Sequence, residues 1–132
     1  KGFWRFKMTG DALGYINRCM EKIRILYQYL YWSKDLNNNF WVGEYIESET
    51  MDEDGKLQSV FILTGTSTNS MISLETEKEK IRSYFGKYGK TDILPNGSGI
   101  AVSYASSVPI RTDEEGIYRL QVNLNVTEWR DE

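Results

Sequence analysis

The segment Gly116–Trp129 constrains the fold of this chain more than any other stretch, because its side chains alternate strictly between apolar and polar over ten residues. The apolar members of the alternation are Tyr118, Leu120, Val122, Leu124 and Val126. A period of two predicts a β-strand with one buried face. The length of the apolar row predicts a strand at the centre of its sheet, with Val122 and Leu124 in the core.

The other face of this strand carries an unusual row of side chains: Arg119, Gln121, Asn123, Asn125 and Thr127. Four of the five are neutral, whereas a freely solvated strand usually carries Lys and Glu. Two interpretations stay open. The row is either an ordinary solvent-facing surface or a surface that meets another chain, since burying neutral amides costs less than burying charges.

Composition places the chain among ordinary globular proteins and excludes several functions. At 132 residues it predicts a single domain over 1–132. The net charge of −3, without a basic stripe, argues against recognition of nucleic acid. No apolar run is long enough to span a membrane, and no signal peptide is evident. The chain begins at Lys1 rather than Met, so a lost leader remains open. A single cysteine, Cys19, rules out an internal disulfide and favours a reducing compartment.

The absence of histidine removes the commonest general base and metal ligand. Triads that need histidine are therefore excluded within the chain, and Cys19 is interpreted as a small core residue. The glycine-rich stretch Asn96–Gly99 lacks the spacing and lysine of a phosphate loop. The acidic stretch Met51–Gly55 lacks the pattern of a calcium loop and suits a hairpin tip. The sequence thus predicts no enzyme activity and no catalytic, cofactor-binding or metal-binding residues.

Periodicity along the chain predicts an α+β fold, with a single four-stranded antiparallel sheet, two helices packed on one face, and an N-terminal arm or short edge strand. The predicted elements are an arm or edge strand at 1–8, a long helix at 11–32, a hairpin at 40–66, a helix at 74–85, and two C-terminal strands within 100–128.

The last part of the predicted long helix is apolar almost all round and rich in aromatic residues: Tyr27, Tyr29, Tyr31 and Trp32. Such a helix end is usually covered by other structure. The sheet or a second subunit could provide that cover.

The order of these elements and their residue patterns resemble those of the tail-terminator (minor tail) proteins of long-tailed bacteriophages and prophages. The segments that carry the resemblance are the long N-terminal helix Asp11–Trp32, Trp41–Tyr45, Phe61–Gly65, the helix Leu74–Phe85, Ile100–Tyr104 and Tyr118–Leu124. The segment Gly2–Met8 departs from the pattern, because many family members start at or near the first helix.

The resemblance implies a structural, non-enzymatic protein that forms a ring, a hexamer in that family, on the tail tube and joins it to the head. It further implies tail-tube and head-completion partners and a virion component assembled in the bacterial cytoplasm. A ring requires a heterologous interface that closes on itself. The candidate interface residues are Tyr27, Tyr29, Tyr31, Trp32, Arg119, Gln121, Asn123, Asn125 and Thr127. The alternative is a non-enzymatic module that binds a small ligand or peptide in an aromatic-lined pocket.

Overall fold

The computed structural model describes residues 8–32, 37–46 and 56–129. Its elements are α1 (Gly10–Lys22), β1 (Tyr27–Tyr29), β2 (Phe40–Ile46), β3 (Lys56–Ser67), α2 (Met71–Phe85), β4 (Lys90–Ile93), β5 (Gly99–Ile110) and β6 (Tyr118–Trp129). The predicted arm at 1–8 and the predicted hairpin tip Met51–Gly55 lie outside the described residues, except for Met8, which is buried.

The sheet is larger than the sequence predicts. Six strands lie in the order β1-β2-β3-β6-β5-β4. β1 pairs with β2 in parallel, and all other neighbours are antiparallel. The predicted four-stranded antiparallel sheet is therefore wrong, and the fold is an α+β arrangement of two helices with one mixed six-stranded sheet. Both added strands are short and lie at the sheet edges, where they need no long apolar row.

The predicted long helix over 11–32 is also wrong in its second half. α1 ends at Lys22, and Arg24 then adopts a left-handed conformation with φ of 61°. The chain reverses there and continues as β1, which joins β2 through bonds such as Trp41 N to Leu26 O at 2.9 Å. The tyrosines in this segment favour a strand once a neighbouring strand can pair with it.

The remaining elements agree more closely with the sequence. The hairpin prediction is confirmed, since β2 and β3 pair in antiparallel register from Phe40↔Thr66 to Ile46↔Val60. α2 begins three residues before the predicted start, where Ser70 accepts a hydrogen bond from Ser73 N at 3.1 Å. β4 lies between the predicted helix and the predicted C-terminal strands, where the sequence predicts no element. Three of its four residues are exposed, so the segment shows no apolar–polar alternation.

One core lies between the helices and a single face of the sheet. The helices contribute Ala12, Tyr15, Ile16, Cys19, Met20, Leu74, Ile81 and Phe85, and the sheet contributes Trp41, Phe61, Leu63, Ile100, Val102, Leu120, Val122, Leu124 and Val126. The prediction for Val122 and Leu124 is confirmed: both are fully buried on β6, between β3 and β5. We call this side of the sheet the helix-covered face.

Trp41 is the largest side chain in this core, and a glycine makes room for it. Gly65 is its partner across the β2–β3 pair. A Cβ atom placed on Gly65 would lie 2.6 Å from Cε2 of the indole, which is closer than packed carbon atoms approach. The indole Nε1 donates to Glu77 Oε1 on α2 at 2.7 Å. This bond ties the second helix to the hairpin and satisfies the buried nitrogen.

Glu128 is a charged residue on the helix-covered face, and it is completely buried at the end of β6. Its carboxylate accepts from Thr9 Oγ1 at 3.0 Å and, at 3.4 Å, from Thr9 N. Thr9 is the N-cap of α1, and its Oγ1 also accepts from Ala12 N at 3.1 Å. The carboxylate therefore lies at the positive end of a helix dipole, where a negative charge is stabilised.

Candidate interaction surface

The face of the sheet opposite the helices, which we call the open face, carries the alternate side chains of the long strands. Its members are Phe40, Val42, Glu44 and Ile46 on β2; Gln58, Val60, Ile62, Thr64 and Thr66 on β3; Arg119, Gln121, Asn123, Asn125 and Thr127 on β6; and Ala101, Ser103, Ser106, Val108 and Ile110 on β5. Only Glu44 and Arg119 among them are charged. The middle of β3, β6 and β5 is therefore a neutral surface.

Hydrogen bonds fix part of this neutral surface. Gln121 Nε2 donates to Asn123 Oδ1 at 2.9 Å, and Asn123 Nδ2 donates to Ser106 Oγ at 3.1 Å. Ser106 lies opposite Asn123 just after a bulge in β5, which shifts the register between Tyr104 and Ser106. The amides of Gln121 and Asn123 are thus held in one arrangement by bonds within the chain.

A shallow concavity lies on the open face where β3, β6 and β5 run side by side. Its volume is about 450 Å³, and it is lined by Gln58, Ser59, Val60, Ser103, Asn125, Val126 and Thr127. The amides of Gln58 and Asn125 and the hydroxyls of Ser103 and Thr127 can both donate and accept hydrogen bonds. The lining includes no charge and no aromatic ring, so it suits a neutral polar group.

The end of the open face at the start of β6 has a different chemistry. Arg119 lies opposite Thr66, and the Trp32 ring lies over the guanidinium, with 5.9 Å from Cζ to the ring centroid. Arg119 Nε and Thr66 Oγ1 are both buried atoms without a hydrogen-bond partner. We call Arg119, Thr66 and Trp32 together the Arg119 corner. Buried donors without acceptors are uncommon and call for an explanation.

The structure divides the predicted aromatic cluster into two groups. Tyr27 and Tyr29 pack against the core, with ring centroids 6.4 and 6.3 Å from that of Phe61. Burial raises the pKa of Tyr27 well above its usual range. Tyr31 and Trp32 are exposed beyond β1, at 56% and 49%. Trp32 lies against Arg119, so one residue from each of the two predicted sets of interface residues lies at this corner.

All five predicted interface residues of β6 lie on the open face. Arg119 forms part of the Arg119 corner, and Asn125 and Thr127 line the concavity. Gln121 and Asn123 belong to the hydrogen-bonded row between these two features. The aromatic pocket of the alternative interpretation does not match this concavity, whose lining residues are polar or aliphatic.

No cluster of metal-ligating carboxylates and thiols occurs within residues 8–32, 37–46 and 56–129. Cys19 is buried, and burial raises the pKa of its thiol, which keeps it protonated and poorly nucleophilic. Burial also raises the pKa of the nearby Tyr84 hydroxyl, to about 12. A buried, protonated Cys19 thiol therefore suits a core position.

Sequence reasoning missed Glu128 and Thr66. The alternation of β6 already places Glu128 on the same side as Val126, and a carboxylate at a core position requires a partner. That signal could have identified Glu128, although not its partner Thr9. For Thr66 the sequence holds no comparable signal, because its position opposite Arg119 depends on the pairing of β3 with β6.

None of the helices in the described ranges is long and apolar enough to cross a membrane. No protein-family model matches the chain, and no curated protein matches its sequence. Solved structures do share the fold. One of them superposes with a TM-score of 0.62 at 10% sequence identity, over 96% of this chain and 99% of that chain. Its name states no activity or partner, and at this identity the likeness concerns the fold alone.

Proposed function

We propose that this chain is a non-enzymatic assembly protein that packs the open face of its sheet against a second copy of itself. The observation that carries the proposal is the scarcity of charge on that face: the middle of β3, β6 and β5 presents only amides, hydroxyls and aliphatic groups. Depletion of charge at the centre is the compositional mark of protein interfaces. It also removes the repulsion that identical charged surfaces would create.

The size of the open face supports this proposal. β3, β5 and β6 each have 12 residues, and β2 has seven. With about 3.3 Å per residue and about 4.8 Å between strands, the four strands cover on the order of 700 Å². Stable interfaces bury roughly 800 Å² per partner. A second copy seated on this face would therefore reach the size range of specific complexes.

The resemblance to phage tail terminators extends the proposal to a particular assembly. In that case the copies form a closed ring on a tail tube, in which the open face of one subunit meets a different surface of the next. The partners would be the tail tube and the head-completion proteins, and the ring would be a virion component assembled in the bacterial cytoplasm. Reconstitution with a purified tail tube would test this extension separately.

Charge placed at the centre of the open face tests the self-association. In the double variant Asn123→Lys with Asn125→Lys, two charges without partners would have to be buried at the interface of every copy, so assembly should fail while each subunit still folds. Asn125→Lys alone isolates the charge effect, because Asn123 also holds the bonds to Gln121 and Ser106. Native mass spectrometry and light scattering measure the outcome.

A matched control places the same new charge on the other side of the molecule. Ser83→Lys on the exposed side of α2 should leave assembly unchanged. If the wild-type protein stays monomeric at high concentration, or if both open-face variants assemble as it does, the proposal fails.

One observation favours a second candidate, a module that binds a small neutral ligand. The concavity beside Asn125 offers amides and hydroxyls that converge on about 450 Å³, which is within the usual size range of ligand sites. A strictly monomeric wild-type protein whose Gln58, Asn125 and Thr127 resonances shift with a neutral polar ligand would favour this candidate over assembly.

A further inference from the structure

A β-bulge decides which side chains of β5 lie on the open face. The register of β5 against β6 shifts between Tyr104 and Ser106, so Ala105 is the extra residue without a partner on β6. Side-chain bonds agree with this register on both sides of the bulge. Asn123 Nδ2 donates to Ser106 Oγ at 3.1 Å on the open face, and Tyr104 Oη donates to Ser107 Oγ at 2.9 Å on the helix-covered face.

The bulge turns two apolar side chains toward the open face. Without the extra residue, the alternation that starts at Ser103 would place Val108 and Ile110 on the helix-covered face. In the structure they follow Ser106 on the open face instead, and Val108 is 47% exposed there. β5 thus presents two apolar groups outside the core of its own chain.

Four consecutive rows of open-face residues run across the sheet, and each row has an apolar side chain on one side of β6 and a hydroxyl on the other. In the order β3, β6, β5 the rows are Val60, Asn125 and Ser103; Ile62, Asn123 and Ser106; Thr64, Gln121 and Val108; and Thr66, Arg119 and Ile110. The apolar residue lies on β3 in the first two rows and on β5 in the last two. We call Val60 with Ile62 the β3 apolar patch, and Val108 with Ile110 the β5 apolar patch.

The two patches lie at diagonally opposite ends of the face, and all four of their residues keep accessible surface. In a two-fold pair the same surface supplies both sides of the interface. An axis along β6 would bring β3 of one copy onto β5 of the other, so every apolar group would meet a hydroxyl. An axis across the strands would do the same, because it exchanges the first two rows with the last two. An axis along the diagonal instead packs each apolar patch against its own equivalent.

We propose that the open face binds a second copy in a two-fold pair whose axis runs through the β3 apolar patch and the β5 apolar patch. Thr64 of one copy then lies opposite Ser106 of the other, so hydroxyls also meet hydroxyls. With about 4.8 Å between strands and about 6.7 Å between alternate residues, the axis lies at about 35° to β6, and the strands of the two sheets cross at about 70°. This arrangement is close to the orthogonal class of sheet packing. The inference rests on the self-association proposed above and specifies its symmetry.

Cross-linking of single-cysteine substitutions with a short bismaleimide tests the position of the axis. Position 108 lies beside the axis, so Val108→Cys should give a dimer joined through that position as the main product. Ser103→Cys is the matched control, because it lies on the same strand and the same face but roughly 20 Å from its equivalent by the same spacings. It should give little cross-linked dimer. The natural Cys19 is buried and contributes little background.

Removal of one apolar group tests the packing of the β5 apolar patch. Val108→Thr replaces a methyl group by a hydroxyl at nearly constant shape, and in a two-fold pair the change occurs on both sides of the interface. It should raise the dissociation constant at least roughly tenfold, as analytical ultracentrifugation would measure. Ile72→Thr makes a similar change at a residue of α2 that is 77% exposed, and it should leave the dissociation constant within about twofold of wild type.

The outcomes distinguish this inference from the proposed function. A monomeric wild-type protein overturns both. If Asn125→Lys prevents assembly but Val108→Cys and Ser103→Cys cross-link equally or not at all, the diagonal two-fold pair alone is wrong. A closed ring in which the open face meets a different surface gives that second result, because position 108 is then far from its equivalent. An unchanged dissociation constant for Val108→Thr also overturns the pair.

Discussion

The two faces of the same strands differ in how their side chains are satisfied. On β6, the side chains of Leu120, Val122, Leu124 and Val126 are at most 1% exposed, and they belong to the same core as the buried residues of both helices. One residue along, the amides of the open face remain partly accessible and bond to each other. The helix-covered face is completed by packing within the chain, whereas the part of the open face formed by β3, β6 and β5 between Arg119 and Thr127 is ordered without being buried by the described elements.

Each face also ends on a charged residue, and these two residues sharpen the difference. Glu128 on the helix-covered face is fully buried, and its carboxylate is satisfied by Thr9. Arg119, at the opposite end of β6 on the open face, has a buried Nε without an acceptor. A buried charge needs compensation, which Glu128 finds in Thr9, whereas the buried Nε of Arg119 finds no acceptor within the chain.

The largest effect on folding should come from a charge placed on the helix-covered face. Leu124→Asp buries an unpaired carboxylate in the core and should prevent folding, whereas Leu124→Ala should cost about 2–5 kcal/mol. Circular dichroism during heating would show no cooperative transition for the Asp variant. Asn125→Asp, the adjacent residue on the open face, should fold normally. Equal melting temperatures for the two Asp variants would mean that the faces are wrongly assigned.

A smaller effect should follow from filling the space that Gly65 leaves for Trp41. Gly65→Ala places a methyl group within 2.6 Å of the indole and should destabilise the protein by about 1–3 kcal/mol, as overpacking does. Urea unfolding measures the change. Gly10→Ala at the start of α1 serves as the control, because no atom lies within 4 Å of its added Cβ. An unchanged stability for Gly65→Ala would contradict the tight packing on this face.

The smallest effect should come from the end of the helix-covered face. Thr9→Ala removes the cap of α1 and the hydroxyl that donates to Glu128, so it should cost about 1–2 kcal/mol. Thr9→Ser keeps the hydroxyl and should recover most of the loss in the same unfolding measurement. If Ser and Ala lower the free energy of unfolding equally, the hydroxyl does not stabilise the buried carboxylate.

The sequence by itself determined the features that depend on neighbouring residues. The alternation of β6 assigned Val122 and Leu124 to the core and Asn123 and Asn125 to the other face, because successive strand residues point to opposite sides. The β2–β3 hairpin followed in the same way from two apolar segments joined by an acidic turn. The second helix followed from helical spacing, with a start placed three residues too late.

Only the tertiary structure decided the features that depend on distant contacts. Tyr27–Tyr29 forms a parallel edge strand rather than the end of a helix because β2 is available to pair with it. The sequence could not show this, because a short segment that is apolar almost all round has no decisive period. Glu128 found its partner in Thr9, 119 positions earlier in the chain. The Arg119 corner likewise joins residues from β3, β6 and the segment after β1, which no local pattern brings together.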